Sequence, residues 1–229
     1  QVRDVGVQDR RHGPTEARVH RRDHRATGAH LVADAFVDQH VGVDGNTHVQ
    51  DDADDARHRG RRAAAVDALR RAVDVYHQRL KKSADAGPAR AYLRNRGYDV
   101  DLIDEWKLGF AATDWDTVSK TLRTSGIDDR AMIDAGLGRQ GKHGLYDVFR
   151  GRLMFPIYDL RGDPIGFGGR KIDEVDRAQT NNPDAKYVNS ADSMVYQKSR
   201  VLFGLDRARQ ALSGNEPAVI VEGYTDVIA

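Results

Sequence analysis

Phe149-Arg-Gly-Arg-Leu-Met-Phe-Pro-Ile-Tyr-Asp-Leu-Arg-Gly-Asp-Pro-Ile-Gly-Phe-Gly-Gly-Arg170 is the stretch that decides the fold. Leu153 to Tyr158 is almost wholly apolar and of strand length, too short for a buried helix. Asp159 to Asp163 holds Arg161-Gly162-Asp163, which is turn chemistry. Pro164 to Gly169 then reads as a second strand, so the pair predicts an antiparallel hairpin. Glycines weaken a strand and often mark the close approach of another backbone or a ligand. Gly166, Gly168 and Gly169, followed by Arg170-Lys171, therefore suit a phosphate chain lying on exposed backbone N–H groups. A glycine-bent hairpin explains them equally well.

Before this stretch the period is helical. Val66, Leu69, Val73, Tyr76 and Leu80 recur at spacings of 3 and 4, one face of an amphipathic helix. Pro88 suits the first turn of a short helix carrying Tyr92 and Leu93. Asp99 or Asp101 can cap another, which holds Leu102, Ile103 and Trp106 and stops at Gly109. Helices are also expected around Trp115 to Leu122, after Asp114, and around Ala131 to Ile133, after Asp128. Residues 61–137 thus read as mostly short helices, with Trp106 and Trp115 read as core packing rather than base-stacking platforms.

After the hairpin, Asp173 to Asp184 is polar and loop-like, and Lys186 to Asn189 predicts a third strand. Gly204 to Leu212 is helical. Ala218 to Val221 is an apolar β-branched run, expected as a strand buried on both faces of a parallel sheet. Glu222 falls at its end, where a carboxylate is well set to bind a divalent ion or move a proton. Tyr224 to Ala229 could open a helix.

Residues 1–60 differ from all that follows. They contain no Lys, Ile, Ser, Tyr, Trp, Met or Cys, and hold seven of the nine histidines. Nine arginines stand against eleven acids, and neither the helical nor the strand period persists. The segment reads as a disordered or frame-shifted leader. The second form, GC-rich coding DNA read out of frame, fits the codon families better than plain disorder, and a His/Asp metal-binding tail fits the irregular spacings least.

A net charge of +1 offers no global signal for nucleic acid. Residues 139–209, by contrast, carry 13 basic against 9 acidic side chains. Lys186 beside Tyr187, and Lys198 after Tyr196, interleave cations with aromatics, a pattern that can hold single strands by charge and stacking. His143 reads as a solvated turn residue. The lack of cysteine excludes disulfides and thiolate zinc sites. No apolar run approaches the roughly 20 residues that span a bilayer, and no signal-peptide core is present, so no membrane association and a cytoplasmic location are expected.

Several motifs occur together in one order. Tyr92-Leu-Arg-Asn-Arg-Gly97 and Leu108-Gly-Phe-Ala111 come first, then Phe149 to Ile157 and Gly162 to Arg170. Lys186-Tyr-Val-Asn-Ser190, Gln197-Lys198, Leu202-Phe-Gly-Leu205 and Val221-Glu-Gly-Tyr-Thr-Asp226 follow. Over about residues 61–229 this series resembles the catalytic core of bacterial DnaG-type primases. The resemblance implies an α+β fold: a helical segment, then a small antiparallel sheet, ending in the first strand of an α/β Toprim fold. Its expected domains are the leader 1–60, the N-terminal subdomain of the core at 61–215, and a truncated Toprim start at 216–229.

The implied function is a DNA-dependent RNA polymerase that makes short primers for replication. Arg170, Lys186 and Lys198, with Arg96, Arg150, Arg152 and Lys171, would meet template or nucleotide. Glu222 would be catalytic and a metal ligand, with Mg²⁺ or Mn²⁺ as cofactor. The resemblance further implies a single-stranded DNA template, ribonucleoside triphosphates, and a replicative helicase engaged through a domain absent here, in a bacterial, nucleoid-associated setting. Two departures stand out. The family's zinc ribbon has no cysteine ligands here, so zinc is not expected. The acidic partners of Glu222 are expected beyond Ala229, so this polypeptide alone is expected to be inactive. Two other classes remain open from the residues: a non-enzymatic single-strand-binding module, and a fragment of another Toprim enzyme.

Overall fold

The computed structural model describes residues 47–175, 185–214 and 216–229, with side chains from residue 52. The chain order is α1 (Thr47–Lys82), α2 (Gly87–Asn95), α3 (Val100–Glu105), β1 (Gly109–Ala111), α4 (Thr117–Thr124) and α5 (Asp129–Asp134). Then come β2 (Gly138–Gly141), β3 (Gly144–Asp147), β4 (Arg152–Tyr158), β5 (Pro164–Lys171), β6 (Tyr187–Asn189), α6 (Leu205–Ser213) and α7 (Tyr224–Ile228).

The predicted hairpin is β4–β5, and it is the centre of the sheet. Strand order is β1-β4-β5-β6, antiparallel throughout, with β2–β3 as a separate two-stranded hairpin. Leu153 faces Arg170 and Phe155 faces Gly168 across the central pair. β1 reaches β4 only as far as Met154, so Pro156 lies where no ladder bond is asked of it on that side. The near-continuous apolar character of β4 follows from burial on both faces. Met154, Ile157, Ile165 and Phe167 join one core, while Leu153, Phe155 and Phe110 join the other.

Helix α1 crosses the sheet at β1 and serves both cores. All five residues of its predicted stripe are buried, with Tyr76 in the first cluster and Leu80 in the second. The crossing is close. A Cβ on Gly109 would lie 2.5 Å from Cβ of Tyr76, so only glycine permits it. His77 donates from Nδ1 to the Leu108 carbonyl at 2.7 Å at the same point. Further up the helix, Arg61 makes a two-pronged pair with Asp134 of α5, at 2.9 and 2.8 Å.

Caps are partly as read. Asp99 accepts from Leu102 N–H at 2.8 Å, and Asp128 from Ala131 N–H at 2.7 Å. Helix α4 differs, because no residue just before it supplies a side-chain cap. Asp147 at the end of β3 accepts from Val118 N–H at 2.7 Å and Ser119 N–H at 2.9 Å instead.

The structure corrects four expectations. Helix α1 begins at Thr47, not near residue 61, so 47–60 are helical rather than part of a disordered leader. The reading of residues 1–46, and most of that of 173–184, falls outside the described residues. Gly109 starts strand β1, where only the end of a helix was expected; three residues are too few to show a period. Ala218 to Val221 form no ladder, and Val219 and Ile220 are each 84% exposed, because no second strand pairs with the segment among the described residues. Trp115 is 64% exposed rather than core, whereas Trp106 is packed against Phe203.

Candidate nucleic-acid interface

Three elements bring cations together at one end of the sheet. Arg170 and Lys171 close β5, and Lys186 precedes β6, where the Lys171 N–H donates to the Lys186 carbonyl at 2.9 Å. Arg96 comes from the C-terminal cap of α2. Between them stands Tyr92, one turn back on α2. The Arg170 guanidinium lies 3.9 Å from the centre of its ring and that of Arg96 lies 5.2 Å away. Arg170 also lies 6.0 Å from the ring of Tyr187, its cross-strand neighbour. Lys186 and Arg96 are exposed, and Arg170 is 8% exposed. Burial raises the Tyr92 hydroxyl above its ordinary value, although both guanidiniums pull the other way.

Arg150 belongs to a second cluster. Its guanidinium covers Trp115 at 3.8 Å, and Tyr146 meets Trp115 edge-on at 5.8 Å. Arg150 also donates to the Asp147 carbonyl at 2.9 Å, and burial lowers its pKa. Exposed tryptophan backed by arginine is a surface on which a base can stack. Arg152 is different again. It has no exposed surface, it donates to the carbonyls of Gly169 at 3.3 Å and Ala185 at 3.0 Å, and burial lowers it to about 10. Those bonds tie β4 and β5 to the start of β6, so Arg152 acts on the surface cations through the backbone. Lys198 stands exposed on a separate 3-10 turn, where its N–H donates to Asp192 at 2.9 Å.

Glu222 is exposed in the bend before α7. The residue that seats it is Tyr224. That ring stacks on Phe155 at 5.1 Å and meets Phe203 edge-on at 4.7 Å, and its hydroxyl donates to Asn189 Oδ1 of β6 at 2.8 Å. Tyr98 reinforces the contact by donating to the Thr225 carbonyl at 2.8 Å. A continuous contact path therefore runs from Arg170 to Tyr187 to Tyr224, two residues from Glu222.

The glycines of β5 serve this packing. A Cβ on Gly168 would lie 2.3 Å from the Tyr224 ring, one on Gly169 3.1 Å from Arg152 and Phe149, and one on Gly166 3.1 Å from Ser190. Their backbone is buried in the ladder. Of the two readings of Gly166 to Gly169, the exposed phosphate cradle is the one the structure does not fit: side chains of the protein fill the space on both sides of the strand.

No group of three or more His, Cys, Asp or Glu side chains is placed to hold a metal ion among the described residues. Glu222 has one near companion in sequence, Asp226, whose Oδ2 turns back to within 2.8 Å of where a Cβ on Gly223 would stand. These residues alone do not fit a two-metal centre. Reading the sequence missed Tyr92, Asn189 and Tyr224 as site residues. All three lie inside the motifs quoted above, but nothing in their spacing distinguishes them from core aromatics and turn asparagines.

Comparison with known proteins gives a consistent picture. Residues 75–209 match the family of the DNA primase catalytic core, N-terminal domain. The DNA primase of Streptomyces coelicolor is 37% identical over 202 residues, which covers 87% of this chain and 31% of the relative. That of Mycobacterium bovis is 40% identical over 173 residues, 76% of this chain and 26% of the relative. The chain therefore spans less than a third of these curated relatives. Among solved structures, the RNA polymerase domain of Mycobacterium tuberculosis primase DnaG, in complex with a double-stranded DNA oligomer bearing a 6-nucleotide overhang, superposes with a TM-score of 0.68 at 38% identity, covering 72% of this chain and 50% of that one. A DnaG primase catalytic domain bound to single-stranded DNA gives 0.61 at 36% identity, covering 74% and 50%.

Proposed function

The chain belongs to the bacterial DnaG-type DNA primase family, and on that footing we propose that it forms the template- and nucleotide-facing part of a primer-synthesising RNA polymerase core. The observation that carries this reading is the convergence of Arg96, Arg170, Lys171 and Lys186 at one end of the sheet that also seats Glu222 through Tyr224. Cations there neutralise phosphate, and the half-buried rings of Tyr92 and Tyr187 lie among them. Arg150 over Trp115 extends the same chemistry to a second point, and Lys198 adds an exposed charge. Arg152 has a supporting role, holding the strands that carry Arg170 and Lys186.

Glu222 would be the catalytic carboxylate and a metal ligand of the complete enzyme. Because the described residues do not fit a metal pair, no step through Mg²⁺ or Mn²⁺ is assigned to them. In the parent polypeptide the substrates are ribonucleoside triphosphates on a single-stranded template, in a bacterial cell, at the nucleoid and next to a replicative helicase. No helix among the described residues is long and apolar enough to cross a membrane. Strand binding through Trp115 and Arg150 needs no metal, so binding and catalysis are separable. This favours a single-strand-binding role for the chain by itself.

The test is salt-dependent binding of a labelled oligodeoxythymidylate. Exposed cations contribute to log K against log salt with a slope of about −0.7 per phosphate neutralised on a single strand. Lys186→Ala should weaken binding and flatten the slope by about one contact. A chain with no salt-sensitive affinity for single strands, or a slope untouched by this substitution, refutes the reading.

A further inference from the structure

Trp115 and Arg150 both sit in connections that no helix or ladder holds. Residues 112–116 join β1 to α4, and residues 148–151 join β3 to β4. A stacking surface on such segments binds well only if its halves are fixed beforehand, because ordering them on binding costs affinity. One buried residue touches both halves. Asp147 is 2% exposed. Its N–H donates to the Trp115 carbonyl at 2.7 Å, and its carbonyl accepts from the Arg150 guanidinium at 2.9 Å. Its carboxylate accepts from the Val118 and Ser119 N–H groups at 2.7 and 2.9 Å, just past Trp115 in the chain. From the other end, the Gly151 N–H beside Arg150 donates to the Ala112 carbonyl at 2.9 Å.

Capping α4 explains the carboxylate. A cap, however, needs neither the N–H nor the carbonyl of the same residue, and those two groups hold Trp115 and Arg150. The carboxylate is the only member of this set that depends on the side chain. Without it, the backbone bonds hang between two connections that nothing else ties to the start of α4.

The geometry points to Asp147 as the positioning residue of the strand-binding surface: its buried carboxylate pins residue 147 to the start of α4, and the backbone of that residue then holds the Trp115 ring against the Arg150 guanidinium. Arg150 covers one face of the indole at 3.8 Å, and Trp115, 64% exposed, offers the rest to a base. The inference rests on the proposed strand binding through Trp115 and Arg150, yet it can fail alone, because the ring could stack on a base without Asp147 holding it.

The test uses the whole chain and a fluorescein-labelled oligodeoxythymidylate followed by anisotropy, in a double-mutant cycle. Trp115→Ala removes the stacking ring and should weaken binding about tenfold. Asp147→Asn keeps one accepting oxygen and should weaken it about threefold, whereas Asp147→Ala keeps none and should weaken it about fivefold. In the Trp115→Ala chain the same two changes should weaken binding by less than about twofold, since the ring they position is gone. The direction separates position from charge: loss of a negative charge near a strand would by electrostatics alone tighten binding. The salt slope should stay as it is, because no cation is lost. If the wild type does not bind, or Trp115→Ala binds as well as it does, the strand-binding reading of this surface fails and the inference goes with it. If Trp115→Ala weakens binding but both Asp147 variants, with unchanged circular dichroism, bind like the wild type, the inference is refuted while the surface stands. An equal loss with and without the Trp115 ring gives Asp147 a merely structural role and overturns the inference as well.

Discussion

At the scale of single residues, Gly168 shows how a glycine can be misread. Its place in Gly166-Phe167-Gly168-Gly169-Arg170 marks a close approach, and there is one, but the approaching group is Tyr224. A sequence states that space is needed and does not state what fills it, when the filler comes from a distant element. With 2.3 Å between a Gly168 Cβ and the Tyr224 ring, Gly168→Ala must push that ring off Phe155 and break its bond to Asn189. Overpacking of this kind costs about 2 kcal/mol. Thermal melting should show the loss, and Gly168→Ala combined with Tyr224→Leu should recover most of it. A single substitution as stable as the wild type would mean that Tyr224 does not lie where described. Arg150 and Arg152 make the companion point. Both were legible as cations in a family motif and both are buried, but only their contacts separate the one that covers an exposed tryptophan from the one that ties strands together.

Among the elements, those set by local rules were legible and those set by distant partners were not. The α1 stripe from Val66 to Leu80, the β4–β5 hairpin and the aspartate caps at Asp99 and Asp128 follow from period and side-chain chemistry within a few residues. Strand β1 exists because β4 offers it a ladder, and residues 218–221 lack a strand for the opposite reason. Helix α4 is the clearest case, since its cap, Asp147, lies 29 residues from Val118. Asp147→Ala would strand two buried N–H groups and cost about 2 kcal/mol. The pH dependence has a definite sign. Burial, the largest influence, raises the Asp147 carboxyl above its ordinary value despite the bonds from Val118 and Ser119. The folded state then holds the proton more tightly than the unfolded chain. This contribution to stability is full below the unfolded pKa and is lost as pH rises through the folded one. Asp147→Asn should flatten that part of the stability curve, measured by urea unfolding from about pH 3.5 to 6. If wild type and variant stay parallel over this range, the assignment is wrong.

For the molecule as a whole, the question is whether two cores behave as one. Cluster membership divides at the sheet, with Tyr76, Met154 and Phe167 on one side and Leu80, Leu153 and Phe155 on the other. Two elements belong to both. Helix α1 supplies Tyr76 and then Leu80, and β4 supplies Met154 and Ile157 to the first cluster and Leu153 and Phe155 to the second. Neither core can lose these elements without exposing the other, so unfolding of residues 47–229 should be a single cooperative transition. The two tryptophans report on different regions. Trp106 packs on Phe203 beside the second cluster, and Trp115 lies against Tyr146 and Arg150 near the separate hairpin. Trp106→Phe and Trp115→Phe leave one reporter each. Their fluorescence transitions in urea, each compared with circular dichroism of the same variant, should share one midpoint and one slope. A Trp115 signal that changes well before the helical signal would mean that β2–β3 and its tryptophan open independently. The Arg150 surface would then be a mobile contact for the strand, and Arg170 and Lys171 would remain on the rigid sheet.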